Sequence, residues 1–138
     1  MKAQYDNISV TAFIPWQGKA LLVQRADSDD FLPGYWEQLG GKVDSGESHE
    51  DALIREIKEE AGIQVKPLYA YNEYEYNHSD GRLIYEIAYV CGMSEEQEIK
   101  LSAEHLSYKW VTKEDLKNLA PITDEMVNII YKGFENIS

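Results

Sequence analysis

The sequence has a single cysteine, Cys91, so a disulfide cannot form within the chain. We expect its thiol to be a small buried apolar group rather than a nucleophile. No apolar run approaches the roughly 20 residues that span a bilayer, and no apolar signal segment opens the sequence. Repeats, low-complexity tracts and long linkers are also missing. These absences predict one domain over residues 1–138, a cytoplasmic location and no membrane partner.

Positive charge is scarce as well. The chain carries 13 Lys and Arg against 25 Asp and Glu, a formal net charge of -12. A protein that binds nucleic acid needs a positive face to meet phosphates, and no run of Lys and Arg provides one here. Nucleic acid is therefore excluded as a partner. An anionic ligand would have to be attracted by something other than the overall field of the protein.

Two helices stand out from the pattern of apolar residues. The first is predicted over residues 48–61, where Ser48 and Asp51 fit a capping box and Gly62 supplies a stop. The second is predicted over residues 123–134 from the helical spacing of its apolar side chains. A small helix is also expected after Thr112, which forms a second capping box with Asp115.

Strands are predicted between these helices and before them. Alternating and apolar runs predict strands at residues 8–14, 20–25, 63–76, 83–93 and 108–111, with a short extended piece at 35–39. Gly40 and Gly41 are expected to open a loop. The acids at residues 27, 29 and 30 are expected to be solvated surface. Mixed strands with helices packed on them predict an α/β fold, a sandwich of sheet and helices.

Three glutamates form the most informative group on the first helix. Glu56, Glu59 and Glu60 are spaced i, i+3 and i+4, so they share one side of the helix. Their mutual repulsion costs a few tenths of a kcal/mol, and a divalent cation would convert it into coordination. Clustered carboxylate oxygens suit Mg²⁺ or Mn²⁺. The alternative is a solvated helix face, but the flanking glycines and the residues Glu47 and Arg55 favour a site.

The spacing around these glutamates resembles the Nudix box. Gly41 is followed after five residues by Glu47, and after seven more by the run from Arg55 to Ile63, which reads REIKEEAGI. This matches Gly-x5-Glu-x7-Arg-Glu-U-x-Glu-Glu-x-Gly-U at every specified position, with U an aliphatic residue. The resemblance implies a mixed β-sheet sandwiched between α-helices. It also implies metal-dependent hydrolysis of a pyrophosphate linkage in a nucleotide-like substrate.

The resemblance assigns roles position by position. Metal ligation is implied for the carboxylates of Glu56, Glu59 and Glu60 and for the carbonyl of Gly40. Glu56 is also a candidate for orienting or deprotonating the attacking water. Arg55 and Glu47 would pair and hold the catalytic helix, and Glu47 is a candidate for reaching a metal through water.

A weaker resemblance lies downstream. The segment from Glu104 to Trp110, EHLSYKW, is similar to one in dihydroneopterin triphosphate pyrophosphohydrolases and in dinucleoside tetraphosphate hydrolases. In those relatives the matching glutamate approaches the metals from outside the box, which makes Glu104 a catalytic candidate. The alternative is a surface loop. His105 is expected to be a packing or surface histidine.

Substrate contacts are less defined by the sequence. Arg25 and Lys42 are candidates for contacting phosphates. The many tyrosines of the later strands either pack the sheet or place one ring on a nucleobase. Leu39 stands where many relatives have proline before the glycine pair, which argues against the subgroup that acts on oxidised nucleotides.

We therefore expect hydrolysis of a nucleoside or pterin triphosphate to a monophosphate and pyrophosphate. Hydrolysis of dinucleoside polyphosphates or nucleotide sugars is the alternative reaction. Two hypotheses from different functional classes are a non-catalytic nucleotide sensor and a simple acidic cation binder. A homodimer is left open because many relatives are dimers.

Overall fold

The computed structural model describes residues 4–29 and 31–137. The expectation for Asp30 lies outside the described residues. In chain order the strands are β1 (Asn7–Phe13), β2 (Pro15–Trp16), β3 (Lys19–Arg25), β4 (Trp36–Glu37), β5 (Leu39–Lys42), β6 (Lys66–Asn77), β7 (Leu83–Gly92) and β8 (His105–Val111). The helices are α1 (His49–Ala61) and α2 (Asp124–Ile137), and a 3-10 helix spans Glu114–Asn118.

These strands form two sheets. The first has the order β5-β1-β7-β6 and is mixed, because β1 and β7 run parallel while the other neighbours are antiparallel. The second has the order β2-β3-β4, with β8 antiparallel to β3 on its other side. The α/β prediction is confirmed by these two sheets and their two helices. No helix among the described residues is both long and apolar enough to cross a membrane.

Local capping sets the limits of α1 where the sequence predicts them. The Ser48 hydroxyl accepts a hydrogen bond from the Asp51 N–H at 3.1 Å, and Gly62 follows the helix with φ 69°. This left-handed conformation favours glycine. Thr112 and Asp115 also form a reciprocal box, with N···O distances of 2.9 and 3.2 Å, but the turn that follows is a 3-10 helix.

Two apolar clusters hold the layers together. One lies between the first sheet and α1 and includes Leu53, Ile57 and Cys91, which is fully buried as expected. The other lies between the two sheets and α2, where Phe13 packs edge-on against Phe134 at 5.0 Å. Helix α1 is thereby fixed against one face of the first sheet, with its acidic side next to the edge strand β5.

Candidate active site

The glycine pair of β5 brings the first sheet against α1. Gly40 and Gly41 pair with Thr11 and Val10 of β1, so they lie in a strand and the loop prediction is wrong here. A Cβ on Gly40 would lie 2.0 Å from the Val10 carbonyl oxygen, and one on Gly41 would lie 2.4 Å from Cδ of Glu56. At Gly40 the neighbouring backbone approaches too closely for a side chain, whereas at Gly41 the Glu56 carboxyl occupies the space that a side chain would take.

Glu60 is the most buried carboxylate of the site. Its side chain is turned inward, the residue is 5% exposed, and Oε1 accepts a hydrogen bond from the Gly40 N–H at 3.1 Å. Burial above all, together with the nearby carboxyls of Glu104 and Glu56, raises the pKa of Glu60 to about 9 against the opposing effect of the Gly40 N–H. Within residues 4–29 and 31–137, no Lys or Arg side chain forms an ion pair with Glu60.

Glu56 lies beside it, against Gly41. Its Oε1 accepts a hydrogen bond from Nη1 of Arg55 at 3.0 Å. Burial raises the pKa of Glu56, Arg55 lowers it, and the carboxylates of Glu59 and Glu104 raise it again. The box therefore places two partly buried carboxylates within each other's electrostatic reach.

Arg55 and Glu47 are brought together as the sequence predicts. The Arg55 guanidinium donates hydrogen bonds to both carboxylate oxygens of Glu47, from Nε at 2.8 Å and from Nη2 at 2.9 Å. The hydrogen bonds from Arg55 and from the Asp44 N–H lower the pKa of Glu47 to about 2. Nη2 of Arg55 also donates to the Lys42 carbonyl at 3.2 Å. The pair fastens the segment after β5 to α1; its catalytic role stays a prediction.

Glu59 is placed differently from the other two helix glutamates. Its side chain is 61% exposed and contacts Nη1 of Arg55 at 3.4 Å. In the ranges 4–29 and 31–137, no three acid, His or Cys side chains converge as a set of metal ligands. The donors that meet at Glu56 and Glu60 are nevertheless all oxygens that repel one another, a chemistry that fits a hard divalent cation. The roles of Glu59 and of the Gly40 carbonyl as ligands stay predictions.

Glu104 lies in the turn before β8, directly opposite the box. Its carbonyl accepts a hydrogen bond from the Ala26 N–H at 3.0 Å, which ties the turn to the end of β3. Its carboxyl raises the pKa of Glu60, and both residues line the same cavity. The structure therefore brings a glutamate from outside the box to the box carboxylates, where the resemblance places one.

Arg25 already has three partners. Nε donates to the Phe31 carbonyl at 2.7 Å, Nη1 to Glu37 at 2.8 Å and Nη2 to Asp29 at 2.6 Å. Asp29 is therefore an ion-pair partner, and the expectation of a solvated carboxylate is wrong. Both Arg25 and the exposed Lys42 border a cavity that the box carboxylates also line, so their contact with phosphates stays a prediction.

Sequence reasoning missed Glu37. Its carboxylate joins Arg25 to His105, whose Nε2 lies 3.1 Å from Oε2 of Glu37. The His105 side chain is only 3% exposed, so it is the packing histidine that the sequence predicts. Its Nδ1 is buried without a hydrogen-bond partner among the described residues. A lone acid in the short piece between Trp36 and Gln38 gives no local signal for this contact.

A cavity of about 960 Å³ connects these groups. Glu56, Glu60 and Glu104 line one end, and Phe31, Tyr74, Tyr76 and His78 line another part. Nine of its described lining residues are Asp or Glu, whereas two, Arg25 and Lys42, are Arg or Lys. The cavity is therefore strongly negative when no cation is bound.

Comparison with known proteins agrees with this geometry. The chain is 37% identical over 118 residues to nucleoside triphosphatase NudI of Escherichia coli O139:H28, an alignment that covers 78% of this chain and 82% of the relative. The MutT protein of Methanosarcina mazei Go1 superposes with a TM-score of 0.83 at 27% identity, over 95% of this chain and 94% of that one. The Nudix domain of Shewanella oneidensis NrtR, solved with ADP ribose, gives a TM-score of 0.76 at 26% identity, over 100% and 91%. The model of the NUDIX domain matches residues 6–132, and the chain therefore belongs to the Nudix family.

Proposed function

We propose that the protein is a pyrophosphohydrolase that requires Mg²⁺ or Mn²⁺ and converts a nucleoside triphosphate to a monophosphate and pyrophosphate. The observation that carries the proposal is the position of Glu56 and Glu60 at one end of a cavity large enough for a nucleotide. The relatives named nucleoside triphosphatase, 37% identical over most of the chain, support the choice of substrate. A pterin triphosphate is the variant of this substrate class that the sequence also allows.

The charge of the cavity explains the need for metal. A triphosphate carries several negative charges, and Asp and Glu outnumber Lys and Arg around the cavity by nine to two among the described residues. Bound divalent cations neutralise phosphate oxygens and lower the pKa of a coordinated water. Phosphoryl transfer depends mainly on this neutralisation and on positioning.

The residues of the chain would bind the metal, position the helix and supply the general base. Glu56 and Glu60 would hold metal with their carboxylates, with Glu59 and the Gly40 carbonyl as further ligands. Arg55 stabilises the helix beneath them through its two-point contact with Glu47. A general base must lie within hydrogen-bond reach of the attacking water, and Glu56 and Glu104, which both line the cavity, are the two candidates.

A substrate panel with product identification tests the proposal. The panel contains deoxynucleoside triphosphates, dihydroneopterin triphosphate, a dinucleoside tetraphosphate and ADP-ribose, each with Mg²⁺ or Mn²⁺. We expect pyrophosphate release from at least one triphosphate and loss of turnover in Glu60→Gln. Glu95→Gln is the matched control, because Glu95 is exposed and outside the cavity. Nucleotide binding without turnover across the panel would instead indicate a sensor.

Two further expectations belong with this proposal. Nucleoside triphosphates are held in the cytoplasm, so we expect the protein there. Fractionation of the source cells tests this location. We also expect a homodimer. Light scattering measures its mass in solution, and a mass equal to one chain would contradict this expectation.

A further inference from the structure

Four side chains form one row across the floor of the cavity. Ser9 of β1 pairs with Lys42 of β5 on one side and with Glu86 of β7 on the other, and Glu86 pairs with Tyr74 of β6. Directly paired residues point to the same face of a sheet, and all four line the cavity. Neighbouring strands lie about 4.8 Å apart, so Glu86 is about two strand spacings from Lys42, farther from the box carboxylates.

Glu86 is held in a defined position on this floor. The Tyr74 hydroxyl donates a hydrogen bond to Oε2 of Glu86. Burial, together with the carboxylates of Glu37 and Glu125, raises the pKa of Glu86 to about 7 against the lowering effect of the Tyr74 hydrogen bond. A carboxylate with little water around it is stabilised by each additional N–H donor that approaches it.

Flat aromatic rings stand beside this carboxylate. The Tyr74 and Tyr76 rings are stacked with centroids 5.7 Å apart, and Phe31 stacks on His78 at 4.4 Å. These rings line the same cavity as Glu86. Aromatic faces of this kind bind other planar rings by offset or edge contacts. The combination of ring faces and a half-buried carboxylate held by Tyr74 is a chemistry that recognises a nucleobase.

We infer that Glu86, positioned by Tyr74, selects nucleoside triphosphates whose base carries an exocyclic amino group over those with a carbonyl at the same ring position. The inference rests on the proposed function and names the substrate class of the same site. At a pH above the Glu86 pKa of about 7, the condition of the assays below, the carboxylate is ionised. An amino group then donates to it, whereas a carbonyl oxygen would face it with two acceptors and no proton between them.

Two substrate pairs isolate this choice. dCTP and dUTP differ in an amino group or a carbonyl at C4, and dATP and dITP differ in the same way at C6. A hydrogen-bonded base contact discriminates by roughly tenfold to a hundredfold. We expect the wild-type protein to show kcat/KM at least roughly tenfold higher for the amino member of the pair that it hydrolyses faster.

Glu86→Gln tests the residue itself. The glutamine amide can donate to a carbonyl, so kcat/KM should fall for the amino member and rise for the carbonyl member. Tyr74→Phe keeps the carboxylate but removes its donor, and should reduce the ratio without exchanging the preference. Glu73→Gln is the matched control: Glu73 lies on the same strand as Tyr74, accepts a hydrogen bond from Tyr85 and does not line the cavity. It should leave the ratio unchanged.

The outcomes separate this inference from the proposed function. Absence of hydrolysis of every triphosphate in the full panel overturns the proposed function and the inference with it, whereas absence of hydrolysis of these four alone overturns the inference. Hydrolysis with equal kcat/KM within each pair overturns the inference alone. The inference is also overturned if Glu86→Gln changes kcat/KM by the same factor for both substrates of a pair. If Glu86→Gln fails to fold, the Tyr74→Phe ratio decides, and an unchanged ratio overturns the inference.

Discussion

Replacing Gly41 by alanine tests the contact between β5 and the catalytic helix. An alanine Cβ would lie 2.4 Å from Cδ and 2.5 Å from Oε2 of Glu56. Gly41 does not have positive φ, so the substitution introduces no backbone strain. The steric conflict is with the end of one flexible side chain, which can move into the cavity.

The size of the effect follows from that distance. Ordinary van der Waals contact begins near 3.4 Å, so the Glu56 carboxyl must move by about 1 Å. A misplacement of about 1 Å in a catalytic constellation lowers the rate by about 100-fold. The stability cost stays below about 1.5 kcal/mol, because a side chain rather than a packed core adjusts.

Gly40→Ala is the control for this prediction. Its Cβ would lie 2.0 Å from the Val10 carbonyl oxygen and 2.8 Å from Cα of Thr11. Backbone must then move, and the β1–β5 pairing is disrupted at a cost of about 1–3 kcal/mol or more. The two adjacent alanine variants should therefore differ: one loses activity with its stability nearly intact, and the other loses stability.

Steady-state kinetics with a triphosphate that the wild-type protein hydrolyses, together with urea unfolding, measure both quantities. The reasoning is refuted if Gly41→Ala retains wild-type kcat/KM. It is also refuted if Gly41→Ala unfolds as easily as Gly40→Ala, since the loss of activity would then reflect unfolding.

Three further predictions concern stability. Glu60 has a folded pKa of about 9, above the 4.5 of the free group, so its contribution to stability is present below pH 4.5 and lost as pH rises towards 9. Without metal at pH 8, Glu60→Gln should therefore melt higher than wild type by calorimetry, by about 4 °C per kcal/mol gained; a lower Tm contradicts this. The stability contribution of Glu47 depends on pH in the opposite direction. Its folded pKa of about 2 lies below the 4.5 of the free group, so the contribution is present above pH 4.5 and lost as pH falls towards 2. The Tm of Glu47→Gln should thus fall less than that of wild type between pH 5 and pH 2, and parallel curves would count against the Arg55 contact. Gly133→Ala would put a Cβ 2.3 Å from Cδ2 of Phe13, so urea unfolding should show a loss of about 1–3 kcal/mol, and an unchanged midpoint would contradict that packing.

The parts of the fold and site that could be predicted depend on short stretches of chain. Helix α1 follows from its caps at Ser48 and Gly62, which act within a few residues. The pairing of Arg55 with Glu47, eight residues apart, follows from the resemblance to the Nudix box. In both cases the partners lie within a short stretch of the chain.

Contacts between distant segments could not be predicted in the same way. Gly40 and Gly41 look like turn residues, but their role is to admit Val10 and Glu56, whose approach depends on the tertiary fold. Arg25 looks free for phosphate because Glu37, twelve residues away, becomes its partner only when β4 pairs with β3.

One change of register in β6 was also beyond sequence reasoning. The pairing of β6 with β7 shifts between Ala70 and Asn72. This bulge changes the alternation, so Tyr71 faces the same side as Tyr74, although the two differ by an odd number of positions. A strict period of two would have separated them onto opposite faces.

Product analysis by phosphorus NMR tests the central claim most directly. The wild-type protein is incubated with Mg²⁺ and the triphosphate that gives the fastest turnover, with and without a chelator, beside Glu60→Gln. We expect equal amounts of monophosphate and pyrophosphate from the wild-type protein, and no product with the chelator or from the variant. Single phosphate with a diphosphate, or a bound and intact triphosphate in the presence of Mg²⁺, would contradict the assignment.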